Sequence, residues 1–272
     1  MYFNENQFFS KLQNQASELP ASPAQHRSSA VVYWDNLLVR CLGSPIWRPE
    51  PTSTNEWFIK NGVSIGDVGL LLPTGGFLFL FNIRFPREHA INSGGVPDGF
   101  SPLENPIGAD FIAKTSEPPG SSITSPSVKR TSKPGLRFKS HSKEGAILAL
   151  PAGMHSEDLI ATSDFCDYIV QHIVSWYRYV IHLRRCSVNN GDIRVVTGFS
   201  KTTHWGVAAF SESLFPIRCR LQEKKRGDYS HIWEYSGSCD VRSGPKLSAN
   251  TRGLTDPSNQ CVFLRTLNAT FC

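Results

Sequence analysis

The hydrophobic positions of the chain fall into short runs of strand length, interrupted by one long stretch with helical spacing. The clearest runs lie within residues 62–83 (GVSIGDVGLLLPTGGFLFLFNI), where Pro73, Thr74, Gly75 and Gly76 separate two apolar segments. A glycine-rich turn between apolar segments predicts a β-hairpin with strands at 68–72 and 77–83. In the second strand Phe77, Phe79 and Phe81 alternate with Leu78, Leu80 and Asn82, so both faces are apolar and a central strand is expected. Residues 191–210 (GDIRVVTGFSKTTHWGVAAF) echo this tract and predict a second hairpin, 193–198 and 205–210, around a polar loop at 199–204.

Besides a short amphipathic pattern of Phe3, Phe8, Phe9 and Leu12 at the N-terminus, the best helical spacing lies at residues 163–185. There Phe165, Ile169, Ile173, Trp176, Val180 and Leu183 recur at steps of three and four, marking one apolar stripe. Ser163 suits the N-cap, Asp164 and Asp167 complement the positive helix end, and Arg184 and Arg185 the negative one. Asn189, Asn190 and Gly191 then stop the helix.

Elsewhere the pattern predicts a strand or short helix at 30–40, an extended segment at 44–51, a buried strand at 144–151 and another strand at 260–265. Strands at 216–222 and 230–235 are joined by a charged turn at 224–228. Residues 86–106, rich in Pro, Gly and Asn, predict a long ordered loop packed by Phe100 and Leu103. Between 114 and 135 the composition shifts to Ser, Thr, Pro and Lys, which predicts a flexible insertion. Ser125 within it precedes Pro126 and is a candidate phosphate acceptor, although an exposed loop without regulation is the plainer reading. The expected organisation is a mobile polar segment at 1–29, a single globular domain at 30–265 and a tail at 266–272. The fold class is α+β, a mostly antiparallel β-sheet built from hairpins with one long amphipathic helix packed on it.

Composition narrows the function classes. With 272 residues, 40% of them hydrophobic and 19% charged, the chain buries a sizeable core. Its net charge is +5, yet Lys and Arg are scattered apart from Arg184-Arg185 and Lys224-Lys225-Arg226, so no nucleic-acid partner is expected. The first residues lack the basic head and apolar region of a secretory signal, and apolar runs stop short of the roughly 18–20 residues of a membrane-spanning helix. A cytoplasmic protein is expected. The seven cysteines lie far apart without a CxxC pair, which predicts reduced thiols and neither a disulfide framework nor a zinc knuckle.

The chemistry-bearing residues form no recognised motif. Gly75 and Gly76 lack the Lys-Ser/Thr ending of a phosphate loop, residues 195–201 lack its second glycine, and no HExxH occurs, so no cofactor or metal is expected. Candidate ligand or partner contacts are Asp67 at the entry to the first hairpin, His155 beside Glu157 and Asp158, and Lys201, His204 and Trp205 around the second. The ordinary alternative for Asp67 is a carboxylate accepting backbone N–H bonds in a turn.

Together the blocks GVSIGDVGLLLPTGGFLFLFNI, EGAILALP, SWYRYVIHLRR, VVTGFSKTTHWGVAAF and NQCVFLR resemble a family of uncharacterised proteins expanded in mushroom-forming fungi (Agaricomycetes). The resemblance spans residues 33–265 and implies a lineage-specific protein without an assigned activity. The leading expectation is a non-enzymatic cytosolic recognition module that binds a protein or small ligand through the loops at 86–106 and 199–204. A membrane surface is the other partner to weigh: a gasdermin-like pore former would rearrange a twisted sheet with long hairpins on acidic lipids. A hydrolase or transferase using Asp67, His155 or His204 requires those side chains to converge in one pocket.

Overall fold

A computed structural model describes residues 27–104, 107–213, 215–223, 231–245 and 257–271. The expected mobile segment lies outside them except for its last three residues, and the turn at 224–228 lies outside entirely. In chain order the elements are α1 (Ser29–Leu38), β1 (Ser44–Pro45), α2 (Glu56–Asn61), β2 (Asp67–Leu71), β3 (Phe77–Asn82), β4 (Ile112–Glu117), β5 (Ser121–Thr124), β6 (Val128–Arg130), β7 (Leu136–Ser140), β8 (Gly145–Leu150), β9 (Met154–Leu159), α3 (Ser163–Arg178), β10 (Ile193–Thr202), β11 (Trp205–Phe210), β12 (Ile217–Glu223), β13 (His231–Ser236), β14 (Asp240–Gly244) and β15 (Gln260–Asn268). Among the described residues every strand pairing is antiparallel apart from an isolated bridge between Thr52 and Leu78. The fold is α+β, as the periodicities predict.

Among the described residues there are three sheets. The base sheet runs β1-β15-β10-β2-β3, with β9 also beside β10 and β4 beside β9; the middle sheet runs β5-β8-β11-β14 and the distal sheet β6-β7-β12-β13. The stripe of α3 covers one face of the base sheet. Phe165, Ile169, Ile173, Trp176 and Val180 share a core with Val68, Phe79, Phe81 and Val195, and the Trp176 ring meets Phe81 edge-on at 5.6 Å. The α-helix ends at Arg178, and residues 179–183 continue as a wider π-turn closed by Arg184 N–H on Tyr179 O.

Several expectations are corrected. β3 lies at the edge of the base sheet, although both its faces are buried. The sequence pattern reports coverage of faces and is silent on backbone edges. Here Asn92 supplies the missing neighbour: its Oδ1 accepts from Asn82 N–H at 2.8 Å and its Nδ2 donates to Asn82 O at 3.1 Å. One side-chain amide thus stands in for a strand on an edge that would otherwise invite pairing. The second hairpin does not form either, because β10 and β11 belong to different sheets and Thr203-His204 carries the chain from one to the other. Residues 199–202, expected in a loop, are the buried end of β10. The expected tail is structured too: β15 continues to Asn268, and Ala269 O accepts from the Tyr177 hydroxyl at 2.9 Å.

The segment at 114–135 departs furthest from expectation, for it holds three strands. Ile112 pairs with Leu159, Ser121 with Leu150 and Val128 with Ser140, so β4-β5-β6 and β7-β8-β9 are the two sides of one long hairpin. Its polar residues make its order possible through hydrogen bonds at a corner, where apolar burial is scarce. Ser125 is 1% exposed, accepts from Ala146 N–H, and is no accessible phosphate acceptor. Ser127 donates to Glu144 O, and Ser140 to Ser127 O.

A second long hairpin repeats the plan, with β10-β11-β12 on one side and β13-β14-β15 on the other: Thr202 pairs with Gln260, Trp205 with Gly244 and Arg218 with Ser236. The hairpins lie side by side in matching register, Lys201 opposite His155, Gly206 opposite Ala149 and Leu221 opposite Leu136. All three sheets are therefore stages of one four-stranded antiparallel ribbon. Its base belongs to the large sheet, and its distal part is folded over onto its middle part.

Candidate functional site

Two places gather the chemistry of this chain: the fork where the ribbon leaves the base sheet, and the folded ribbon itself. The fork arises on β10. Residues Ile193–Val195 pair with β2, whereas Gly198–Lys201 pair with β9 on the same side, so the strand exchanges one neighbour for another within a few residues. Gly198 allows the change. A Cβ there would stand 2.1 Å from Asp158 Oδ1 and 2.8 Å from Arg265 Nε, whose ion pair ties β9 to β15.

Asp67 lies in the fork with no exposed surface. Its carboxylate accepts from Ser64 N–H at 2.7 Å, Ser64 Oγ at 3.1 Å and Asn82 Nδ2 at 2.7 Å. Burial pushes its pKa up to about 7 against these bonds and the charge of Lys201. Lys201, at 6% exposure, donates from Nζ to Asn61 O at 2.8 Å and sits 4.3 Å from the Phe199 ring centre. Burial lowers its pKa, while the charges of Cys261, Asp67 and Glu157 oppose the shift. His155 bonds through Nδ1 to Ser258 Oγ at 3.1 Å, and burial followed by the Lys201 charge lowers its pKa.

Three of the five sequence candidates, Asp67, His155 and Lys201, thus share one electrostatic environment. The other two do not join them. Trp205 is fully buried in the middle sheet, donating from Nε1 to Gln260 Oε1 at 3.0 Å, and His204 at the crossing bonds to Thr203 and meets the His231 ring at 5.4 Å. Grooves of about 330 and 200 Å³ flank the start of α3 and are lined by residues such as Leu103, Phe111, Phe165 and Tyr168; neither includes Asp67, His155 or His204. The convergence that a hydrolase or transferase needs is absent from these grooves. Among the described residues no group of three His, Cys, Asp or Glu side chains is placed to hold a metal ion. The fork fastens the ribbon to the base.

The ribbon carries two chemically distinct faces in its distal part. Its inner face holds Val128, Phe138, Ile217, Cys219, Leu221 and Trp233, packed onto Ile147, Ala149, Ala208 and Phe210 of the middle sheet. The sheets come close enough that a Cβ on Gly206 would lie 2.8 Å from Leu221 Cδ2 and 2.9 Å from the Trp233 ring. Its outer face is cationic. Lys129, Lys139 and Arg218 stand directly opposite one another across three strands, and Arg137 stands opposite Arg220 in the next row. Like charges in direct opposition are unfavourable unless an anion or a counter-charge relieves them. Among the described residues Glu234, 3.5 Å from Arg220, relieves one of these rows.

This site was partly legible in the sequence. Alternation in Ile217-Arg218-Cys219-Arg220-Leu221 marks an amphipathic strand, but the polar composition at 121–130 hid its partner. No family model matches the chain, and no curated protein matches it. A solved structure described as the cryo-EM structure of the gasdermin A3 membrane pore is similar over 89% of this chain and 90% of that chain, at 10% sequence identity and a TM-score of 0.28. Likeness at that level supports no argument about this protein.

Proposed function

We propose that the protein acts on membranes, by lifting the distal part of its ribbon off the middle part and inserting the straightened ribbon, together with the ribbons of further copies, as a β-barrel. The observation that carries this reading is that two adjacent hairpins keep the same four-strand order, antiparallel throughout, through both the middle and the distal sheet. Counted from the outer end of one strand to the outer end of the next, corner residues included, the four sides of the ribbon cover 121–130, 136–150, 205–223 and 231–244, or 10, 15, 19 and 14 positions along the chain. A transmembrane β-strand needs about 9–11. The inner apolar face, now buried by folding over, would meet lipid, and the cationic outer face would meet water.

Strand polarity supplies the assembly rule. The ribbon's two edge strands run in opposite directions, so the last strand of one copy pairs antiparallel with the first strand of the next. Lateral addition of copies therefore extends one antiparallel sheet in steps of four strands and closes it without edges, as a lipid-exposed sheet requires. Among the described residues no helix is long and apolar enough to cross a membrane, a fact that bears only on helices. The outer cations Lys129, Lys139, Arg137, Arg218 and Arg220 favour anionic headgroups, each Lys or Arg near such a surface contributing about 1 kcal/mol.

The test is release of a trapped dye from vesicles of phosphatidylcholine with and without phosphatidylserine. Release is expected on the anionic vesicles, with a rate that rises more steeply than linearly in protein concentration. The absence of both dye release and vesicle binding at low salt would sink the reading. The cytoplasmic location and the fungal family expected from the sequence remain compatible proposals.

A further inference from the structure

Cys219 and Cys239 are separated by twenty residues and meet where the ribbon folds over. Cys219 projects from β12 into the space between the distal and middle sheets, while Cys239 stands between β13 and β14, where the chain passes from one sheet to the other. Their sulfurs are 3.9 Å apart, and both thiols are free. Other contacts at this corner are hydrogen bonds, Trp233 Nε1 to Arg242 O at 2.9 Å and Ser243 Oγ to His231 O at 2.7 Å. None of those is covalent.

We infer that Cys219 and Cys239 form a reversible disulfide that locks the ribbon in its folded-over state. The lock follows from register. In a straightened ribbon Cys239 would stand opposite Phe210 in the pairing of β11 with β14, or opposite Phe215 in that of β12 with β13. Cys219 lies nine or four residues further along that strand, hence at least about 13 Å away at about 3.3 Å per residue. A disulfide spans a Cα separation of at most roughly 7 Å. Bond formation and straightening therefore exclude each other.

The chemistry needs a two-electron oxidant, and hydrogen peroxide is small enough to enter a half-buried corner. One sulfur attacks a peroxide oxygen, the O–O bond breaks, and the departing hydroxide takes the thiol proton to give water. The second sulfur attacks the resulting sulfenic sulfur; the S–S bond forms, and the displaced hydroxyl leaves with the second thiol proton as another water. Two thiols are oxidised and one peroxide is reduced. The hydrogen bond between the two thiols lowers the Cys219 pKa and raises that of Cys239. Glutathione or another thiol reverses the bond by exchange.

As a control of membrane insertion, the lock rests on the proposed function; as a clamp on the ribbon, it does not. The experiment separates the two. The full chain is treated with hydrogen peroxide, the remaining thiols are blocked, and the digest is examined by mass spectrometry. A Cys219–Cys239 linked peptide that dithiothreitol removes is expected; oxidation to other pairs or to sulfinic acids without that link overturns the inference. Hydrogen exchange in β6, β7 and β12 is then expected to slow by about tenfold or more in the oxidised chain and to stay unchanged by peroxide in Cys239→Ser. A linked chain that exchanges as fast as the reduced one overturns the lock. In the vesicle assay oxidation is expected to suppress dye release and dithiothreitol to restore it. Release that persists in a fully linked chain overturns the exclusion argument, whereas absence of release from the reduced chain defeats the pore reading and leaves the lock to the exchange result.

Discussion

Raising the pH from 5 to 8 is expected to loosen the fork, by an amount set by Asp67. In an unfolded chain its carboxyl titrates near 3.8; in the fork it is pushed up to about 7, with burial as the main cause and Asn82, Ser64 and Lys201 opposing. Between these values the folded chain keeps a proton that the unfolded chain has released, so the contribution is largest on the acid side and is lost as pH rises through 7. At about 1.36 kcal/mol per unit, the two units between pH 5 and the folded pKa amount to about 2.7 kcal/mol, nearly all gone by pH 8. Lys201, a base lowered by burial, has the opposite sign: it adds stability as pH rises toward its unfolded value of 10.5. The assay is thermal melting at fixed ionic strength, comparing wild type with Asp67→Asn so that other titrating groups cancel. The difference between the two is expected to shift by about 5–10 °C between pH 5 and 8, at about 2–4 °C per kcal/mol. Parallel melting curves across that range would refute a buried, proton-holding Asp67.

Other consequences follow from packing. Asn92→Ala removes the amide that pairs Asn82 N–H at the edge of β3, and a loss of about 1–3 kcal/mol in urea unfolding is expected. Phe79→Asp places an unpaired charge where Phe79 stacks on Phe58 at 4.5 Å, and the base is expected to lose its cooperative thermal transition. Gly206→Val drives a side chain into Leu221 and Trp233; a cost of about 1–3 kcal/mol and faster hydrogen exchange in the distal sheet are expected, with the base unaffected. If the outer face lines a water-filled lumen, Lys129, Lys139 and Arg218 make the conductance anion-selective, and Lys139→Glu combined with Arg218→Glu is expected to reverse the sign of the reversal potential in a planar bilayer.

The strands and the helix of the base were legible because their burial is local and periodic. Phe77 to Phe81 announces a buried strand wherever it sits in the sheet, and the stripe from Phe165 to Val180 announces a helix packed on one side. Sheet membership was not legible. Ile193–Thr202 and Trp205–Phe210 are adjacent in sequence and both apolar, yet only the pairings to β15 and β14 show that they belong to separate layers. Residues 121–130 mislead by composition: Ser125 and Ser127 look like linker residues until their hydrogen bonds to β8 and Glu144 are seen. Of the candidate residues, Asp67, His155 and Lys201 converge because β2, β9 and β10 meet at the fork, which no spacing in the sequence encodes. Cys219 and Cys239 meet for the same kind of reason, at a corner made by long-range register.

The folded ribbon has to be held in water and released at a membrane, and the magnitudes show why these demands are compatible. Seven large apolar side chains, Val128, Leu136, Phe138, Ile147, Phe210, Ile217 and Leu221, are buried between the middle and distal sheets. At about 1.5–3 kcal/mol each, exposing them to water costs on the order of 10–20 kcal/mol, so straightening in solution is rare. Lipid removes most of that cost by replacing the lost apolar surroundings. It leaves the edge strands of a single ribbon with unpaired N–H and C=O groups, each expensive in hydrocarbon, and only pairing with a neighbouring copy relieves them. Contact with lipid and contact with other copies are therefore both required. A chain that released dye in simple proportion to its concentration, as isolated copies would, contradicts this coupling even if its ribbon is shown to open.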